Sequence, residues 1–181
     1  MIFYLQKKVI RICGIAVLIV FSIIFLLIYI FSTKQLNETM DALTDRISDN
    51  GGKFPEWRDD RGDPELPGGL SDFITMETPF STRFFTVLFD ENGKIVSIDL
   101  GSISAITEET AQEYAVEAYE KDGERGWIGN YRYKQYHKGE KTAIVYVDGS
   151  MNQFMSNRMI LSAGIVLVLS ALAIWLIVIF F

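Results

Sequence analysis

Residues Phe84–Leu100 read FFTVLFDENGKIVSIDL. Arg83–Phe89 is rich in Phe, Val and Leu, with apolar residues at both parities, the pattern of a strand covered on both faces. Asp90-Glu91-Asn92-Gly93 is a strong turn signal. Lys94–Leu100 then alternates, with Val96, Ile98 and Leu100 on one face. The stretch predicts a β-hairpin. Downstream, Thr107–Lys121 predicts a helix, with Thr107 as N-cap, acids in the first turn and Ala111, Tyr114, Ala115 and Ala118 on its apolar face. Gly123 and Gly126 end it. Asn130–Tyr136 and Thr142–Asp148 predict two more strands, joined by a turn over His137–Lys141. In the second of these, Ala143, Val145 and Val147 face one way and Ile144 and Tyr146 the other. The expected fold class is α+β, an antiparallel sheet with packed helices.

Working outward, two apolar runs without an ionised side chain bracket this segment, Ile12–Phe31 and Met159–Phe181. At 1.5 Å per residue, about 20 helical residues cross the roughly 30 Å hydrocarbon core of a bilayer. The expectation is a transmembrane helix over 12–31, another over 159–181, and one domain over 32–158 between them. Ser150–Arg158 predicts a helix, with Met151, Phe154 and Met155 on one side, that runs into the second span. Lys7, Lys8 and Arg11 precede the first span, and all 23 acids fall between Glu38 and Asp148. The positive-inside rule puts residues 1–11 in the cytoplasm and 32–158 outside, a multi-pass cell-membrane protein. The first run is too long for a signal-peptide core, and Phe31-Ser32-Thr33-Lys34 is not a small-residue cleavage site. Cys13 is the sole cysteine of the 181 residues, so the domain folds without an internal disulfide.

Ser32–Asn50 continues the first span as a juxtamembrane helix. Leu36, Met40, Leu43 and Ile47 recur at heptad-like spacing. The stripe suits two arrangements, packing on its own domain or the seam of a parallel homodimer. Residues 51–71 carry five glycines and three prolines among many charges and predict a loop.

Catalytic patterns are sparse. The one histidine, His137, falls in the expected turn, which suits a solvated residue better than a base or ligand. No Cys/His cluster, phosphate-binding glycine loop or nucleophile elbow is present, so catalysis by this segment is not expected. Glu109, Glu113, Glu117 and Glu120 line one helix face, either a solvated face or a site for a divalent cation, the one cofactor that the residue pattern suits. Asp59, Asp60, Asp63 and Glu65 form a second acidic group without EF-hand spacing. Arg61-Gly62-Asp63 spells an adhesion tripeptide and Asn37-Glu38-Thr39 a glycosylation sequon, both short enough to arise by chance. Arg83, Trp127, Tyr131, Arg132 and Tyr133, with Tyr136 nearby, supply aromatic walls and cationic donors for a small-ligand pocket. The competing reading is ordinary core for Tyr131 and Tyr133. Arg83 and Arg132, if they point inward, require an anionic partner.

This layout resembles the input half of a bacterial two-span sensor histidine kinase, over essentially the whole chain. The hairpin Phe84–Leu100, the helix Thr107–Lys121 and the hairpin Tyr131–Asp148 look like the strand-strand-helix-strand-strand core of extracytoplasmic PAS-like sensors. The resemblance implies a PAS-like sensor domain of a two-component signal-transduction kinase, homodimeric and bilayer-bound. Its expected partner is a small ligand, an ion or a membrane protein, and no nucleic acid. A phosphoacceptor helix pair and an ATP-binding domain do not follow in this sequence, so kinase activity is not expected of this chain. The alternatives are a stand-alone two-span protein that binds a partner, and the input domain of a chemoreceptor or cyclase.

Overall fold

The computed structural model describes residues 2–55, 77–121 and 123–180. In chain order the elements are α1 (Ile2–Asp49), α2 (Thr78–Ser81), β1 (Phe84–Phe89), β2 (Ile95–Asp99), α3 (Glu108–Glu120), β3 (Arg125–Ile128), β4 (Tyr131–Lys138), β5 (Lys141–Asp148) and α4 (Ser150–Phe180). They form two compact units, Met1–Leu36 with Asn152–Phe181, and Asn37–Met151.

The first unit is a pair of helices. Windows of 18 residues in α1 and α4 have mean hydropathy 3.0 and 2.7, and both helices are long and apolar enough to cross a membrane. Neither window is buried within the chain, so their apolar side chains need an apolar surrounding other than this protein. The helices touch where Gly164 faces the Phe25 ring and where the Ser32 and Ser156 hydroxyls lie 2.7 Å apart.

The second unit is α+β. Its five strands run β2-β1-β5-β4-β3, antiparallel at every pairing. β1 lies between β2 and β5, and its apolar residues of both parities, Phe84 as well as Phe85, Val87 and Phe89, are buried. One face carries Phe85, Val87, Phe89, Tyr133, Ile144 and Tyr146, packed with Ala111, Ala115 and Ala118 of α3. The three alanines are fully buried, and their size lets the helix approach the sheet closely. Phe85 stacks on Tyr146 at 4.4 Å between ring centroids and 3° between planes. Strand alternation sends Phe84, Ala143, Val145 and Val147, also buried, to the opposite face. That face is where the Asn37–Asp49 part of α1 attaches, through the ion pairs described below.

Local chemistry sets the boundaries. Thr107 caps α3 by accepting from Thr110 N. Asp90 Oδ1 accepts from the backbone N–H of Asn92 and Lys94, closing the β1–β2 turn. Gly93 there has φ +75°, a conformation that glycine adopts without a Cβ penalty. After α1, Gly51 and Gly52 carry positive φ and return N–H bonds to Ser48 O and Ile47 O. Lys138 Nζ and the Thr86 hydroxyl then bond the carbonyls of Gly51 and Gly52.

Three sequence expectations need correction, and a fourth is narrowed. Arg125–Ile128 is a strand, not a connection; at four residues it is too short for a periodic signal. His137 lies in β4 opposite Thr142, and the turn shrinks to Gly139-Glu140. The face assigned to β2 shifts at a bulge between Leu88 and Phe89. Ile95, Ile98 and Leu100 therefore pack on the core, while Val96 is left half exposed. Finally, Met40, Thr44 and Ile47 are fully buried inside the second unit, whereas Leu36 and Leu43 are only half-buried. Met40 and Ile47 thus take part in the domain's own packing, one of the two arrangements that the stripe suits. Most of the expected loop 51–71, with its acidic group and the tripeptide 61–63, lies outside the described residues.

Candidate functional site

On α1, Asp41, Asp45 and Asp49 follow one another at four-residue spacing and share a helix face. Facing them are cations of the two strands at the β3 edge. In the β3–β4 register Arg125 opposes Lys134 and Trp127 opposes Arg132, and residues directly opposite share a face. Arg132 bonds Asp41 in bidentate fashion, Nε to Oδ1 at 2.8 Å and Nη2 to Oδ2 at 3.0 Å. Arg125 Nη2 lies 2.8 Å from Asp45 Oδ1, and Lys134 Nζ lies 2.6 Å from the same oxygen. Lys134 also reaches Asp49 at 3.6 Å. The result is a ladder of opposite charges between one helix and the sheet.

Burial raises the tendency of Asp45 to hold a proton. The bonds from Arg125 and Lys134 and the charges of both outweigh it, so its carboxyl stays below the usual carboxylate range. Arg125 is shifted up, first by the bond to Asp45 and against burial. Both shifts favour the charged forms of Asp45 and Arg125. The Arg132 side chain is 13% exposed and that of Asp41 27%, so their bidentate bond is the least screened rung.

A second joint lies where β5 meets α4. The Asp148 side chain is 4% exposed, and its Oδ2 pairs with Arg83 Nη2 at 2.9 Å. Its Oδ1 accepts from Ser150 N at 2.9 Å and from the Ser150 hydroxyl, an Asx-type turn that leads into the helix. Arg83 is itself half exposed. The buried member is the aspartate, and the anion that the arginine answers belongs to the protein.

The five residues grouped for a ligand pocket do not come together. Tyr131 and Tyr133 are on the α3 face. Tyr133 is buried against the core, and the Tyr131 ring meets Phe85 edge-on at 5.5 Å. Burial, followed by the Asp148 charge, pushes the Tyr131 phenol up. Trp127 and Arg132 are on the α1 face, with the guanidinium 5.6 Å from the indole centroid. Arg83 belongs to the β5–α4 joint. Strand alternation separates the set. An apolar cavity of about 360 Å³ within the helix pair, bordered by Cys13, Gly14, Ala171 and Trp175, contains none of the five. Neither does a polar one of about 350 Å³ framed by Asp90, Glu91, Lys138 and Lys141.

Glu109, Glu113, Glu117 and Glu120 are all exposed on α3, and Glu117 pairs with Lys121 at 2.8 Å. Among the described residues no three His, Cys, Asp or Glu side chains converge as a metal site. The stripe is thus a solvent-facing row of carboxylates, the first of its two readings. The Asn37 amide of the sequon is engaged, accepting from Trp127 Nε1 at 2.9 Å.

Sequence reasoning missed the ladder, although half of its signal was present. Asp41, Asp45 and Asp49 flank the buried stripe at helical spacing, but nothing local pairs them with strands more than 75 residues away.

Fold and joints together define an α+β domain whose own helical segment, Asn37–Asp49, is tied to its sheet by charge, in a chain that also carries two helices of membrane-spanning length. Compared with protein-family models, with curated proteins and with solved structures, the chain has no significant match.

Proposed function

We propose that this chain is the membrane-anchored sensor segment of a signalling protein, with a PAS-like domain outside the membrane that passes a bound-state change to its second span. The observation that carries the reading is the junction at Asp148. β5 ends there, α4 starts at Ser150, and a buried carboxylate joins the two with only Gly149 between. A rearrangement of the sheet has no flexible linker in which to dissipate before it reaches α4. The layout adds support, since two strands, a helix and further strands in one antiparallel sheet are what the resemblance to sensor-kinase input domains implies. The basic residues before the first apolar run favour an extracytoplasmic domain.

In this mechanism a ligand shifts the population between two arrangements of the domain, by no more than its difference in affinity for them. The first test is topology. In a Cys13→Ser background, Val96→Cys and Glu113→Cys place single thiols at exposed positions of the domain. A membrane-impermeant maleimide should label both in intact cells. Labelling only after lysis would reject an extracytoplasmic sensor.

A further inference from the structure

Gly149 stands between β5 and α4, and its φ is not in the left-handed region. The backbone there does not require glycine; the space around it does. A Cβ at this position would lie 2.8 Å from both Cη2 and Cζ3 of Trp127 and 3.2 Å from Cε of Met40. The Trp127 ring thus fills the volume that any side chain at 149 would take. The pyrrole edge of the same indole donates from Nε1 to Asn37 Oδ1 at 2.9 Å. Arg132, fixed in bidentate fashion on Asp41, lies over the ring. One side chain on a short edge strand therefore bonds α1 at Asn37 and packs against the residue that precedes α4, where the Met40 methyl of α1 also closes in. Beyond it, the Asp148 carboxylate holds Ser150 N at the start of α4.

We propose that Trp127 is a wedge that makes the Asn37–Asp41 turn of α1 and the first turn of α4 move as one body, and that emptying or overfilling its seat uncouples them. The device is carried by packing geometry alone and stands whether or not the chain is a sensor. β3 is the natural place for a releasable part. It has four residues and only one neighbouring strand, β4, so it can shift without breaking the central β1–β5 pairing.

The test uses the full chain in nanodiscs, with Cys13→Ser and spin labels on Glu38→Cys and Met151→Cys. Labelled chains are diluted in unlabelled ones so that only distances within one chain are read. The parent should give a single narrow distance distribution. Trp127→Ala, which empties the seat, and Gly149→Val, which overfills it, should each broaden the distribution about twofold or split it. Phe85→Leu, on the opposite face of the sheet, serves as the control for general destabilisation and should leave the width unchanged. Adding Gly149→Val to Trp127→Ala should narrow the distribution relative to Trp127→Ala alone, because the new side chain refills the seat. An unchanged width in both single variants, or equal broadening by Phe85→Leu, would overturn the proposal.

Discussion

Arg132 holds Asp41 through two parallel bonds of 2.8 and 3.0 Å, joining a strand to a helix 91 residues earlier in the chain. The pair is the best-shielded rung of a ladder that continues through Asp45, Arg125 and Lys134. Asp41→Ala leaves a guanidinium that is 13% exposed without its carboxylate. The expected loss is about 1–3 kcal/mol. Arg132→Ala should cost a similar amount. A denaturation double-mutant cycle should give a coupling of at least about 1 kcal/mol, and a coupling near zero would show that the bonds add nothing.

Acid should weaken the same seam. Asp45 has a folded-state pKa below its unfolded value, through its bonds to Arg125 and Lys134 acting against burial. Its contribution is therefore complete above the unfolded value and disappears as pH falls through the lower, folded value. Stability of the wild-type chain should decline from about pH 5 downward. Asp45→Asn should lower stability at pH 7 and flatten that decline. The check is a set of denaturation curves across pH, and identical acid slopes for the two proteins would contradict the assignment.

The α3 face of the sheet tolerates no added bulk at its closest contacts. Ala115 has no exposed surface, so Ala115→Leu must move the helix or distort its neighbours, at about 1–3 kcal/mol. Phe85→Ala removes the ring stacked on Tyr146 and should cost about 3–5 kcal/mol. Thermal unfolding followed by circular dichroism distinguishes both from Glu113→Ala, which lies on the exposed face and should shift stability by no more than about 0.5 kcal/mol.

Divalent cations should not stabilise the domain through the α3 stripe. No three carboxylates converge among the described residues. Millimolar calcium or magnesium should give the same melting temperature for wild type and for a Glu109→Gln, Glu113→Gln, Glu117→Gln, Glu120→Gln variant. A cation-dependent rise in wild type that the variant lacks would restore the stripe as a site.

Much of the architecture was legible in sequence because it is written in local periodicity. The two apolar runs, the β1–β2 hairpin signal at Asp90–Gly93, the Thr107-capped helix and the β4 and β5 strands all depend on neighbours within a few residues. Where the reading failed, the deciding contact was distant or the signal too short. β3 has four residues, two of them Arg125 and Gly126. The face error in β2 came from a bulge that only its pairing with β1 defines. The residues grouped for a ligand pocket are dispersed for a related reason. Tyr131, Arg132 and Tyr133 are adjacent in sequence, yet strand alternation sends Arg132 to one face and both tyrosines to the other.

The sequence by itself determined that a charged α+β segment lies between two helices of membrane-spanning length, since apolar run length, capping residues and strand alternation are properties of the chain. Only the tertiary structure decided what the charges are for. Asp41, Asp45 and Asp49 share a helix face whatever surrounds them. Their pairing with Arg125, Arg132 and Lys134 exists because the β3–β4 register and the seating of α1 bring those groups within 2.6–3.6 Å, and charge partners across a fold are chosen by proximity in space, which no local pattern encodes.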